Sequence, residues 1–285
     1  MLASSYVILN VKLGSLPESL REKLLSYLPD KEKNLLKKIP KSSKSLDPED
    51  FSFDRILNQV HYSWLLPTLK TYPNEEIALF LEVVEEQKKA ILKRKLRIEP
   101  DEPHLTSIAK SYLKLILQMS LLGKEDSLLP VEYLPSHPLN QLTLLNKQQL
   151  VELIDYLGLY DLSKEIKQIV DTTVLKKIYS YLSQEHKSFL NKIMNQKEPK
   201  LFFRMNLTRE GIDKDAFKTL LHKRGLQRLG ITLSHQHSDL LWYITHILDI
   251  GRGNALLKIE EKKVMAKDAE SMVGCVLEAL KRVKP

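Results

Sequence analysis

Residues 54–81, Asp-Arg-Ile-Leu-Asn-Gln-Val-His-Tyr-Ser-Trp-Leu-Leu-Pro-Thr-Leu-Lys-Thr-Tyr-Pro-Asn-Glu-Glu-Ile-Ala-Leu-Phe-Leu, decide the fold class. Ile56, Leu57, Val60, Trp64, Leu65 and Leu69 recur at helical spacing and predict one apolar face on a first helix. Pro73 forbids its continuation, Asn74 can accept from a free amide of the next helix, and Glu75 and Glu76 suit that helix's positive end. A second helix is therefore expected from Asn74. Its apolar residues Ile77, Leu79, Phe80, Leu81 and Val84 cover too wide an arc for a lone surface helix, so it must be packed from more than one side. A third helix carries the basic run that ends at Arg97. The unit implied is a pile of short helices.

The flanking sequence extends that reading in both directions. Tyr6 to Leu13 alternates Val7, Leu9, Val11 and Leu13 with other residues and permits a short strand. Ser15, Pro17 and Glu18 open a helix to Leu28, a second runs from Lys31 to Ile39, and the polar stretch Lys41 to Asp50 is a linker. Beyond the breaks at Pro100 and Pro103, a helix from about Thr106 ends at Gly123. Its expected buried face holds Ile108, Tyr112, Leu115, Ile116, Met119 and Leu122. Lys124 to Leu142 is a proline-marked connector.

Four short helices follow, at 150–157, 162–170, 174–182 and 185–194. Ser26-Tyr27-Leu28 with Lys33, Leu36, Lys38 and Ile39 is echoed at constant offset by Ser180-Tyr181-Leu182 with Lys187, Leu190, Lys192 and Ile193, as one helical hairpin used twice would be. Lys200 to Leu207 has an extended character. Asp213 to Arg224 is helical, with Gly225 and Gly230 bracketing a turn. Ser234 caps a helix to about Asp249, Gly251-Arg252-Gly253 stops it, and a last helix spans Ala266 to Val283. The expected fold is all-α: stacked short helices of the armadillo kind in two or three subdomains, with at most minor β. The segments are 1–50, 51–123, 124–200 and 201–285.

Composition agrees. Nine glycines and thirteen prolines in 285 residues, against abundant Leu, Lys, Glu and Ile, suit helices joined by proline-marked loops better than a sandwich or a doubly wound sheet. A single cysteine, Cys275, allows neither an internal disulfide nor a cysteine-rich zinc site and fits a reducing compartment. Neither an export leader nor a run of roughly 20 apolar residues that would cross a bilayer is evident. The net charge of +8 has its densest source in Lys88, Lys89, Lys93, Arg94, Lys95 and Arg97. Such a run faces solvent in most helices, and otherwise an acidic protein, a nucleic-acid backbone or anionic lipid.

Few residues offer chemistry. His235, Asp239 and His246 share a helix face and are ligand types for zinc, with His222, His237 and Asp249 nearby. His235 and His237, however, fall in a first turn where caps are expected, among the packing residues Leu240, Leu241, Ile244, Ile247 and Leu248. Gly251-Arg252-Gly253-Asn254 lacks the third glycine and the lysine of a phosphate-cradling loop. Neither a nucleophile elbow nor a His-Glu-x-x-His motif occurs. His61 and Trp64, near one another at the start of the organising stretch, suit an interface anchor as well as packing.

Residues 60–97 resemble a helical repeat of the flagellar rotor switch protein FliG. The features are a histidine opening a helix, Leu66 and Leu69 behind it, a Tyr72-Pro73-x-Glu75 turn, then Ala78 and Leu81. Residues 144–195 are similar to the repeat that begins the C-terminal domain of FliG. Of the family's Glu-His-Pro-Gln patch only His61 is kept, with Val60, Tyr62 and Ser63 at the other positions, and its Met-Phe-x-Phe hinge is absent. FliG-like pieces in an otherwise divergent chain resemble the SctK family, the sorting-platform subunits of type III secretion systems.

That resemblance implies a non-enzymatic adaptor without cofactor, metal or small-molecule substrate. It would lie in the cytoplasm at the inner membrane and bind ring and platform proteins through helix faces. His61, Trp64, Lys93 and Arg94 are the partner-binding candidates. The alternative is a basic helical nucleic-acid-binding protein that uses Lys88 to Arg97.

Overall fold

The structure, a computed structural model, describes residues 4–37, 39, 47–98, 103–123, 128–195, 203–207, 213–260 and 266–283. Every regular element among them is helical, and the fold is all-α. In chain order the helices are α1 (Ser4–Gly14), α2 (Glu18–Ser26), α3 (Asp30–Lys37), α4 (Phe53–Gln59), α5 (Leu66–Leu69), α6 (Asn74–Leu81), α7 (Glu86–Leu96) and α8 (Ser107–Leu122). They continue as α9 (Lys147–Ile166), α10 (Thr172–Tyr181), α11 (Gln184–Met194), α12 (Lys214–Leu233), α13 (Ser238–Ile247), α14 (Ile250–Glu260) and α15 (Ala266–Val283). Single 3-10 turns lie at Tyr62–Trp64 and Val131–Tyr133, among others. Contacts gather the chain into two compact units, Met1–Thr143 with His237–Ile250, and Leu144–Gln236 with Gly251–Pro285.

The first unit is built around Leu57, Leu65, Leu69, Ile77, Phe80, Leu81, Leu92, Leu113 and Leu117. The organising stretch contributes most of this core, but not as one long first helix. The chain is extended at Val60, turns once through Tyr62–Trp64 and restarts as α5. Pro67 sits in the first turn of α5, where its missing N–H costs nothing, whereas a helix running through Ser63 would clash with its ring. Residues 6–13, which permitted a strand, are helical in α1. Their buried positions are Val7, Asn10 and Val11 at helical spacing, with Leu13. The polar Asn10 hid that period, and its amide donates to the Ile39 carbonyl at 3.4 Å.

Helix α13 joins this unit through backbone partners. Its last carbonyls, which no helix can satisfy internally, accept from the organising stretch: His61 N–H donates to the His246 carbonyl at 2.7 Å and Trp64 Nε1 to the Leu248 carbonyl at 2.9 Å. Near the other end, Asp239 accepts from Leu129 N–H at 2.9 Å, and the Tyr243 hydroxyl donates to the Leu129 carbonyl at 2.9 Å. The cap of α13 is His237, which accepts from Asp239 N–H, and not Ser234. Ser234 instead follows α12 as its C-terminal cap.

The second unit is centred on α9 and α12, two continuous helices where shorter ones were expected at 150–157 and 162–170, and at 213–224 before a turn bracketed by Gly225 and Gly230. Gly158 and Gly225 lie inside helices because the two backbones meet there. A Cβ on Gly225 would stand 1.7 Å from the Ile154 carbonyl oxygen, and one on Gly158 would stand 2.3 Å from that of Leu221. Gly230 instead faces a side chain, that of Ile259 in α14, whose Cγ2 would stand 2.9 Å from an added Cβ. Likewise Gly251-Arg252-Gly253 lies in the first turn of α14, and α13 ends earlier, at the extended Leu248. Asn146 and Gln149 form a reciprocal capping box at the start of α9.

Two features of the sequence have direct counterparts in the helices. The hairpins α2–α3 and α10–α11 occupy the echoed positions, with Asp30 and Gln184 starting the second helix of each. Ser26 and Ser180 each donate to a lysine carbonyl three residues back, at 2.6 and 2.7 Å. Residues 203–207, of extended character, have no regular structure. They are clipped to α9 by carboxylates: Asp161 accepts from Phe203 N–H, and Glu165 accepts from Met205 and Leu207 N–H.

Candidate interaction surface

Helix α8 is apolar nearly all round, SIAKSYLKLILQMSLL, and the face turned inward is not the expected one. Leu113 and Leu117 are buried in the first unit's core, with Ile116 and Leu121 packed against it. Four of the six residues assigned to packing stand in solvent: Ile108 is 81 % exposed, Tyr112 63 %, Leu115 50 % and Met119 65 %, while Ile116 and Leu122 are half-buried. Scattered exposed leucines need no explanation, but four large apolar side chains in one row on one helix do. Thr106 caps the helix through its hydroxyl, accepting from Ala109 N–H at 3.3 Å, and Gly123 stops it at positive φ. The helix is thus well defined at both ends, and its outer face is unused by the fold.

The second unit carries a cleft of about 690 Å³, lined by residues of α9 to α12 and by Arg252. At its wall Asp155, His222 and Arg252 form a chain of hydrogen bonds. Arg252 Nε donates to His222 Nε2 at 2.9 Å, so His222 carries its proton on Nδ1 and gives that bond to Asp155 at 2.7 Å. Both imidazole nitrogens are spent on the protein, and neither is presented to take a proton from a substrate. His186, also in the wall, is pushed below the ordinary histidine range by burial and meets the Tyr156 ring edge-on at 4.9 Å.

No protein-family profile, curated protein or solved structure matches the chain.

The partner-binding candidates of the sequence are not gathered in one place. His61 and Trp64 lie together, half-buried, and both serve the seam with α13. His61 Nδ1 pairs with the Ser63 hydroxyl at 2.8 Å, and that hydroxyl accepts from Ile250 N–H. The Trp64 ring lies 4.2 Å from that of His246, whose other face stacks on Trp242 at 3.9 Å. Lys93 and Arg94 are on α7, half-buried and exposed respectively. Within the same basic run Lys88 and Lys89 are internal. Lys88 Nζ donates to the carbonyls of Leu57 at 2.7 Å and Asn58 at 2.6 Å, closing the end of α4, and burial pulls its ammonium down to about 8. Lys89 is buried against Glu82 at 2.7 Å.

The histidine constellation is likewise divided among separate structural tasks. His237 caps α13, Asp239 holds the Leu129 amide, and His246 is sandwiched between tryptophans. Among the described residues no three His, Cys, Asp or Glu side chains converge as a metal would require.

His246 gives a pH prediction. Its Nδ1 must donate to the Trp242 carbonyl at 2.8 Å, and burial pushes the imidazole down to about 4. The unfolded chain, with histidine near 6.5, then binds more protons than the folded one between these values, so stability is complete above about pH 6.5 and falls as pH drops towards 4. The expected loss is about 2 kcal/mol at pH 5. Urea denaturation across this range should show a slope that His246→Phe flattens; an unchanged slope would mean that the ring is hydrated.

Proposed function

We propose that this chain is a non-enzymatic adaptor that binds other proteins through helix faces in a cytoplasmic complex of the type III secretion or flagellar kind. The observation that carries the reading is the exposed apolar row of α8, since apolar surface of this kind on a folded helix marks a place where another protein sits. The reading is supported further by the use made of the polar groups. The hydrogen-bonded histidine of the cleft, the histidines of α13 and two of the six cations of the basic run are all engaged in holding helices together. That engagement also removes Lys88 and Lys89 from the nucleic-acid alternative.

The type of complex follows from the residues that resemble FliG repeats, and the divergence of the remaining chain favours a sorting-platform subunit of the SctK kind over a rotor protein. Its partners would be ring and platform proteins at the cytoplasmic face of the inner membrane. Among the described residues no helix is long and apolar enough to cross a membrane. Tagged chain purified from its own cells under gentle conditions is expected to bring down ring or platform components. Tyr112→Ala/Met119→Ala should reduce that recovery at least tenfold while leaving thermal unfolding unchanged. Recovery of no such component from the parent chain would overturn the reading.

A further inference from the structure

We infer that a small pocket between α1, α2 and α3 binds a carboxylate carried on one compact apolar group, with Arg21 holding the carboxylate. The inference concerns a site apart from the α8 face and does not depend on the adaptor reading. The pocket measures about 120 Å³.

Charge selects an anion. Three cations line the pocket, Arg21 of α2 with Lys33 and Lys37 of α3, and among the described residues no acid does. Helix α1 contains no acid at all. Of the acids on α2 and α3, Glu18, Glu22 and Asp30 are exposed and Glu32 is half-buried, and all four lie outside the lining. Lys33 does pair with Asp30 at 3.3 Å, but that aspartate is 94 % exposed and such a pair is weak. Arg21 decides the head group. Its Nε is buried without a hydrogen-bond partner, and its guanidinium forms no ion pair among the described residues. Native proteins leave few buried donors in that state. A carboxylate meeting the guanidinium side-on accepts parallel hydrogen bonds from Nε and one Nη, which satisfies the orphaned donor and matches the fork to two coplanar oxygens.

Size and lining select the body. Leu13 and Leu36 are buried and Leu25 is half-buried, so the interior of the pocket is apolar. Asn10 also borders it, but its amide is spent on the Ile39 carbonyl at 3.4 Å. An apolar cavity of roughly 150 Å³ holds benzene, so this one admits about four to six carbons, the bulk of a leucine side chain and not a long acyl chain. An inorganic anion would leave that space unfilled, and a neutral apolar guest would leave the Arg21 Nε unpaired. Two sources share the required chemistry: a free branched carboxylic acid, and the end of a polypeptide whose last residue is leucine.

The test titrates the full chain with isocaproate, with isocaproamide and with acetate, binding being read by saturation-transfer NMR. Isocaproate is expected to bind at least tenfold tighter than either, because the amide lacks the charge and acetate lacks the body. Arg21→Met keeps the stem and removes the guanidinium. It should weaken isocaproate at least tenfold without lowering the thermal midpoint, since methionine brings no polar atom that must be paired. Leu25→Phe, which adds volume at the half-buried wall, should exclude isocaproate. Equal binding of isocaproate and its amide, equal binding of isocaproate and acetate, or an affinity that Arg21→Met leaves unchanged overturns the inference. So does binding of none of the three, which would mean that water satisfies the Nε. A glycine-rich peptide ending in leucine, with a free carboxylate or amidated, then distinguishes the sources. Binding by the free-carboxylate form alone supports the inference with a chain end as the occupant, exclusion of both forms supports it with a free acid, and equal binding of both forms overturns it.

Discussion

Gly225→Ala is expected to destabilise the second unit by about 3 kcal/mol or more, although alanine is the better helix former by about 1 kcal/mol. The reason is what the methyl group would meet. Its carbon would stand 1.7 Å from the Ile154 oxygen, 2.7 Å from the Ile154 carbonyl carbon and 2.9 Å from the Gly158 nitrogen. All three are backbone atoms, so no rotamer change relieves the clash. The helices α9 and α12 must move apart by more than an ångström, and Ile154, Leu221 and Leu229, buried in this unit, would then lose contact together. Gly274 in α15 is the control, because a Cβ there meets nothing within 4 Å. Gly274→Ala should stabilise by about 0.5–1 kcal/mol through propensity alone. Urea midpoints of both variants against the parent decide the matter, and an unchanged midpoint for Gly225→Ala would mean that the helices do not touch at this crossing.

Those glycines mark where the sequence stops being legible. Helix class, the start of α6 at Asn74 and both ends of α8 follow from local chemistry that a linear reading can see, proline, caps and a 3.6-residue period, although Asn74 is the first residue of α6 after Pro73 and makes no cap bond. A glycine within an apolar run looks the same whether it ends a helix or admits a second backbone, and only the neighbouring helix distinguishes the two. Helix α8 poses the same problem in another form. Leu113 and Leu117 satisfy the helical period as well as Ile108, Tyr112, Leu115 and Met119 do, so the apolar residues were all visible but the side facing the core was not. The strand permitted at 6–13 failed because a buried asparagine interrupts the period. His61 and Trp64 were visible as neighbours. Their backbone partners, the His246 carbonyl in α13 and the Leu248 carbonyl just after it, lie more than 180 residues away, beyond any local pattern.

Removing the cation of the buried pair in the second unit should cost about as much as forcing the crossing apart. Arg228 is 1 % exposed and donates from Nη2 to Asp161 Oδ1 at 2.5 Å, and the carboxylate, wholly buried, also accepts from Phe203 N–H at 3.2 Å. Burial pushes the Asp161 carboxyl upward, and the guanidinium is the main influence pulling it back. Arg228→Met keeps most of the side-chain volume and leaves that carboxylate without its counter-charge, a change expected to cost about 3–5 kcal/mol at neutral pH. The sign of the pH dependence distinguishes this cause from lost packing. With the cation gone, the folded pKa of Asp161, already held above its unfolded value by burial, rises further, so unfolding the variant releases more proton than unfolding the parent and the deficit shrinks as pH falls towards the unfolded value near 4. A packing defect has no such dependence. Arg228→Met/Asp161→Leu, which removes both charges, should recover part of the loss; its shortfall measures the acceptor withdrawn from Phe203. Urea denaturation of the three chains at pH 7 and pH 5 tests this, and a deficit for Arg228→Met that is small and constant between them would mean the pair is hydrated.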